Sequence, residues 1–175
     1  KLSLSNKFYK YAIQKCKKKK KLIGFAIQDE KKINFLRSQQ IDFYKILNED
    51  INNIKLIKKI RLDKKAFKII STSNNSIKQI KKTIKILGQK NKTIVTVTQF
   101  SKKIKPSTLT KIKKYRDIFD VKVGYGNHSE VQSIKRILKY KLDVLLFYVK
   151  LDGVNSYPDN SHAINLYSKI KDLYL

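Results

Sequence analysis

Among 175 residues only two are histidine, His128 and His162. His128 follows a short apolar run in a G-Y-x-x-H turn, and an imidazole beside carboxylate and water is a ligand set for a divalent ion. One histidine by itself makes a poor metal site. Lys45 sits near the end of the run Ile41 to Leu47. A lysine at the end of a buried strand needs a partner or a wet cleft for its charge; the other reading is a side chain snorkelling to the surface of a lysine-rich chain. Asp50 follows closely, where a carboxylate caps a helix start. The single cysteine, Cys16, can form no internal disulfide, and no cysteine cluster exists to bind zinc.

The elements that must position these groups alternate between strand-like and helical patterns. Strand-like runs fall at Leu22 to Ile27, Ile41 to Leu47, Ala66 to Thr72, Thr93 to Gln99, Val121 to Gly126 and Asp143 to Leu151. Several are apolar on both faces, as parallel strands covered by helices must be. Helical patterns lie between and around them, at Ser5 to Lys18, Glu30 to Ser38, Ile51 to Ile60, Ser76 to Leu87, Thr108 to Ile118, Glu130 to Tyr140 and Ile164 to Tyr174. Ser76 or Asn75 supplies an N-cap and Gly88 a stop for the fourth of these. Unbroken alternation, with no G-x-G-x-x-G and no Walker loop, favours a parallel (β/α) TIM-type barrel over an open nucleotide-binding sheet. Six of the eight βα units are expected here, in a single domain over 1–175 that lacks its first two units. Function should then sit at the C-terminal ends of the strands. The chain opens with Lys1 and contains no methionine, which suggests an excerpt of a longer product.

The formal charge of +28 invites a second reading, a basic nucleic-acid-binding protein. Of the 41 basic residues only four are arginine (Arg37, Arg61, Arg116, Arg136), the residue preferred for phosphate and guanine. Lysine, isoleucine and asparagine are all plentiful. Drift toward AT-rich codons explains the three together, whereas selection for nucleic acid explains only lysine. Specific nucleic-acid binding is therefore not favoured. No apolar run approaches the ~20 residues of a membrane helix, and no secretory signal is visible. A cytoplasmic protein without a membrane partner is expected.

Ordered segments of the chain resemble the N-terminal catalytic domain of the sialic acid (N-acetylneuraminate) synthase family. "INFLRSQQIDFYKI" (Ile33–Ile46) resembles an F-L-x-x-x-x-x-D-x-Y-K-I pattern. "FKIISTSNNSIKQIKKTIKIL" (Phe67–Leu87) resembles a strand ending in I-S-T-G with its following helix. "VKVGYGNHS" (Val121–Ser129) resembles V-G-Y-S-D-H-T, and "DVLLFYVKLD" (Asp143–Asp152) resembles D-V-I-E-K-H-F-T-L-D. "YPDNSHAINL" (Tyr157–Leu166) resembles G-P-D-H-A-F-S-L. The resemblance implies a transferase that condenses phosphoenolpyruvate with an N-acylated sugar to form a nonulosonic acid. It implies manganese or magnesium as the divalent metal and a homodimer as the assembly. Residue by residue, it implies Lys45, Ser71, Thr72 and Tyr125 for substrate binding, His128 for the metal, and Asp50 and Asp159 for catalysis. For Asp159 a plain Pro-Asp turn is the competing reading.

Departures from the pattern concentrate at the strand ends. The second metal histidine of the family falls on Tyr148, and the glutamate two residues before it on Leu146. A phosphate-binding serine becomes Asn48, and the signature serine and aspartate become Gly126 and Asn127. The third-strand S-T-P-F-D becomes Phe25 to Asp29, and H-C-T-S/N-x-Y-P becomes Thr96 to Lys102. Apolar strand residues are retained better than polar ones, a pattern that also fits a degenerate relative keeping the barrel and losing the chemistry. No C-terminal antifreeze-like domain is seen.

Overall fold

A computed structural model describes residues 4–100, 104–128, 134, 136–153, 160 and 162–166. In chain order its main elements are α1 (Asn6–Lys18), β1 (Gly24–Ala26), α2 (Lys32–Ser38), β2 (Phe43–Ile46), α3 (Ile54–Arg61), β3 (Phe67–Thr72) and α4 (Ile77–Leu87). They continue as β4 (Thr93–Gln99), α5 (Pro106–Phe119), β5 (Lys122–Asn127), β6 (Leu145–Leu146), β7 (Val149–Lys150) and β8 (Ile164–Asn165). Strands β1 to β6 form one sheet in sequence order, with parallel registers such as Lys45 opposite Ile69 and Thr98 opposite Gly126. A doubly wound sheet reverses its strand order at a switch point. Here the order never reverses, which is the winding of a (β/α) barrel. By contact density the chain divides into two compact units, Lys1–Ile70 with Asn74–Thr93, and Ser71–Ser73 with Ile94–Leu175.

In the first unit, α4 shows how local sequence writes an element. Ser76 accepts from the Gln79 N–H at 3.3 Å while the Gln79 side chain accepts from the Ser76 N–H at 2.8 Å, closing a capping box. Gly88 ends the helix at φ 69°, a left-handed position that costs glycine nothing. Ile80, Thr83, Ile84 and Leu87 line the buried face, and the Thr83 hydroxyl donates to the Ile51 carbonyl at 2.8 Å. α3 and α4 pack together.

One device recurs in both units. Asp42, just before β2, accepts the Ile23 N–H on its carboxylate at 2.8 Å and donates its own N–H to the Ile23 carbonyl at 2.8 Å. Asp143, before β6, does the same with Val123, at 2.9 and 3.0 Å. In each case an aspartate fixes where two parallel strands begin to pair, and so which residues reach their far ends.

Four segments differ from the periodicity. The run Ile51 to Ile60 is helical only from Ile54; Asn48–Asp50 is a 3₁₀ turn, and Asn53 provides the α3 cap by accepting from Leu56 N–H at 3.1 Å. Asp50 is thus not that cap. The run Asp143 to Leu151 is two short strands. β6 pairs with β5 through Tyr125 opposite Leu145 and Gly126 opposite Leu146; the chain then leaves that sheet and Val149–Lys150 pairs with Ile164–Asn165. The expected helix Ile164 to Tyr174 accordingly begins as strand β8, because Ile164 is buried and its backbone N–H is taken by the Tyr148 carbonyl at 2.8 Å; positions 167–174 lie outside the described residues. Of the helix expected over Glu130 to Tyr140, residues 134, 136 and 137 are helical and Leu138–Tyr140 is a 3₁₀ turn, the rest lying outside the described residues. Among the described residues no helix is long and apolar enough to cross a membrane.

Candidate active site

In the first unit, strand period places the cation. Tyr44 and Ile46 are fully buried on one face of β2, and Lys45, half-buried, projects on the other between Ala26 of β1 and Ile69 of β3. Past the strand end lies the 3₁₀ turn carrying Asn48, Glu49 and Asp50. Asn75 donates its amide to the Asn48 carbonyl at 2.9 Å, and Gln28 donates to Glu49 at 2.7 Å. These contacts tie the segments after β1, β2 and β3 together around the half-buried Asp50. Lys45 and Asp50 are therefore both near the C-terminal end of β2, as expected of a site built on strand ends.

In the second unit a polar seam runs across the ends of three strands. The Ser71 and Thr98 hydroxyls lie 3.0 Å apart, and the Thr72 hydroxyl donates to the Thr96 carbonyl at 3.0 Å. Beyond Thr98 comes Gly126, where an added Cβ would stand 2.7 Å from the Thr98 hydroxyl oxygen. The glycine thus makes room for the Ser71–Thr98 contact. Thr72 and Tyr125 are fully enclosed, and Ser71 nearly so. Their hydroxyls belong to the packed interior of the strands.

His128 lies just past β5, half-buried. Its Nδ1 stands 3.0 Å from Nε2 of His162, with ring centroids 4.4 Å apart. Tyr148 packs on both imidazoles at 4.8 Å, edge-on to His162, and Phe100 lies 4.4 Å from the His128 ring. Among the described residues no set of three or more His, Cys, Asp or Glu gathers to hold an ion. Two imidazole nitrogens at this separation nonetheless fit adjacent positions on one divalent ion with bonds of about 2.1 Å. Asp159 lies outside the described residues.

Two residues near the strand ends escape a reading of the sequence. Lys111 of α5 donates to the Ser73 carbonyl just past β3, and burial pulls its ammonium below the ordinary lysine range. Gln99, at the end of β4, accepts from the Lys105 N–H at 3.1 Å and from the Thr108 hydroxyl, so its amide serves the start of α5. Lys111 was hidden among many lysines. Gln99 carried a signal only as a polar residue ending an otherwise apolar strand.

The NeuB family model matches residues 1–139. No curated protein sequence matches the chain. Among solved structures, the N-acetylneuraminic acid (sialic acid) synthetase of Leptospira borgpetersenii serovar Hardjo-bovis is similar over 93% of this chain and 58% of its own, at 18% identity and a TM-score of 0.82. The spore coat polysaccharide biosynthesis protein spsE of Bacillus subtilis is similar over 93% of this chain and 47% of its own, at 19% identity and a TM-score of 0.80. A truncated 3-deoxy-D-arabino-heptulosonate 7-phosphate synthase of Thermotoga maritima is similar over 98% of this chain and 72% of its own, at 11% identity and a TM-score of 0.79. Identities this low show the shared fold, and the chain spans about half the length of the first two proteins. The family match covers most of the sequence, including β2, β3 and β5 with their strand-end residues: the chain belongs to the NeuB family.

Proposed function

We propose that this chain is the barrel portion of a sugar acid synthase that condenses phosphoenolpyruvate with an N-acylated sugar to give a nonulosonic acid. The observation that carries the reading is the NeuB family match across the segments that hold Lys45 and His128. In the reaction a carbon–carbon bond forms between the enol carbon C3 and the sugar aldehyde carbon, whose oxygen takes a proton. Water adds at C2 and inorganic phosphate leaves.

Each group has a place in that chemistry. Lys45, projecting from β2 beside the turn that holds Asp50, supplies positive charge for the phosphate or carboxylate of phosphoenolpyruvate. Asp50 or Asp159 exchanges the proton of the reacting aldehyde and water. Ser71, Thr72 and Tyr125 are the further substrate-binding residues that the resemblance implies. A divalent ion held at His128, manganese or magnesium, would polarise the aldehyde. Further βα units beyond this chain and a second copy of the protein belong to the working form in this reading, and phosphoenolpyruvate as substrate assigns it to the cytoplasm.

The test is phosphate release from phosphoenolpyruvate, with manganese and N-acetylated hexosamines, by the full-length product. Release that requires both substrates is expected, and Lys45→Ala should raise the KM for phosphoenolpyruvate at least about tenfold, the loss of a charge-assisted contact of ~1.5–3 kcal/mol. No release with any such sugar would sink the synthase reading and leave a relative that has kept the fold alone.

A further inference from the structure

The family pattern puts one metal histidine on the segment after β5 and the other on the eighth strand, where this chain has Tyr148. The only other imidazole in the sequence, 34 positions from His128, is brought to 3.0 Å from it. We propose that His162 is the second metal ligand of this protein, reaching in from the segment before β8 to replace the imidazole lost at Tyr148. The inference rests on the reading of His128 as a metal residue.

Three observations carry it. First, the facing atoms are ring nitrogens, Nδ1 of His128 and Nε2 of His162. As a hydrogen bond the pair needs one nitrogen protonated; with both as lone-pair donors, their spacing is that of two adjacent ligands on an ion with bonds of about 2.1 Å. Second, both rings are held by packing. Tyr148 lies 4.8 Å from each, and Phe100 lies 4.4 Å from His128, so the rings keep their orientation whether or not an ion is present. Third, His162 is fixed by the backbone. Ile164, two residues on, is buried in β8, and its N–H is bound by the carbonyl of Tyr148 itself. The short β7–β8 pairing thus brings His162 beside the residue whose role it takes over.

The donor chemistry sets the ion class. Two imidazoles favour zinc, cobalt, nickel or iron over magnesium, which prefers oxygen ligands. Remaining positions on the ion stay available for water and a substrate oxygen, as a Lewis-acid site requires.

Metal binding is measured directly on the full-length protein, by calorimetric titration with cobalt and zinc and by the visible absorption of the cobalt form, with magnesium as the comparison. Wild type should take up one equivalent of cobalt, far more tightly than magnesium. His162→Ala and His128→Ala should each weaken cobalt at least about tenfold, with unchanged melting of the metal-free protein. Tyr148→His in the His162→Ala background should restore binding. Equal cobalt affinity in wild type and His162→Ala, or no stoichiometric uptake by wild type, overturns the inference. The outcome separates from that of the synthase reading. Uptake through both histidines without phosphate release leaves the metal pair standing and removes the synthase; phosphate release by a wild type that takes up no stoichiometric cobalt does the reverse.

Discussion

At the start of β3 and at its end lie two sets of buried polar groups that are satisfied in different ways. At the start, Lys68 is completely enclosed, yet its ammonium reaches three oxygens: the Asp63 carbonyl, the Ala66 carbonyl at 2.7 Å and the Gln89 side chain at 2.7 Å. Asp63 beside it accepts the Tyr44 hydroxyl at 3.0 Å and the Lys65 and Ala66 N–H groups at 3.1 and 3.2 Å. Every one of these contacts is made to the protein itself, two of them to residues some twenty positions away, Tyr44 to Asp63 and Lys68 to Gln89. At the end of the strand, the Ser71 and Thr72 hydroxyls each contact β4, and the half-buried His128 lies just past the end of β5. Dense, closed hydrogen bonding is how a barrel holds its bottom, whereas chemistry needs groups that can exchange partners. A charged residue buried in a strand is thus no sign of a site; its end of the strand and the closure of its contacts decide.

The sharpest way to break this contrast is Asp63→Ala. It strands the Tyr44 hydroxyl and two backbone N–H groups, removes the carboxylate charge that favours the nearby ammonium, and should cost roughly 3 kcal/mol of stability in urea unfolding. A loss below half of that would mean the start of β3 is no more closed than its end. Thr98→Val tests the other end. It removes the hydroxyl contact to Ser71 while keeping the shape, and the expected cost is about 1 kcal/mol by the same unfolding curve. A cost as large as that of Asp63→Ala would erase the distinction.

The gentlest test is pH. Burial pulls the Lys68 ammonium down to about 8, with the Asp63 carboxylate opposing. Its folded value therefore lies below the ordinary lysine value of about 10.4. A lysine with a depressed value binds fewer protons folded than unfolded between those two limits, so its penalty is fully present below about pH 8 and is relieved as pH rises from there toward about 10.4. Wild type should gain stability across that window relative to Lys68→Met, which has no such group. Parallel stability profiles for the two proteins would show that the three oxygens hold the ammonium as firmly as water does.

Much of the fold could be read from the sequence because it follows from local rules. The capping box at Ser76 and Gln79, the glycine stop at Gly88 and the doubly apolar strands each announce themselves within a few residues. Boundaries failed where partners decide: β6 pairs with β5 for two residues, and Val149–Lys150 then pairs with Ile164–Asn165, a partner distant in the sequence. Among the candidate site residues, Lys45 and His128 stood out by position on strands. The burial of Lys111 and Lys68 did not, since a lysine-rich chain gives no local hint of which ammonium is buried.

Composition and periodicity by themselves determined the class of this protein: apolar runs at βα spacing must be covered on both faces, and only parallel strands wrapped by helices do that. Ordered motifs added the family. What only the tertiary structure decided is which polar groups meet. His128 and His162 are separated by 34 positions, and no rule of local sequence sets their distance; it follows from β5 and the β7–β8 pair bringing their following and preceding segments to one place. Strand periodicity is fixed by neighbours along the chain, whereas a site is fixed by neighbours across it.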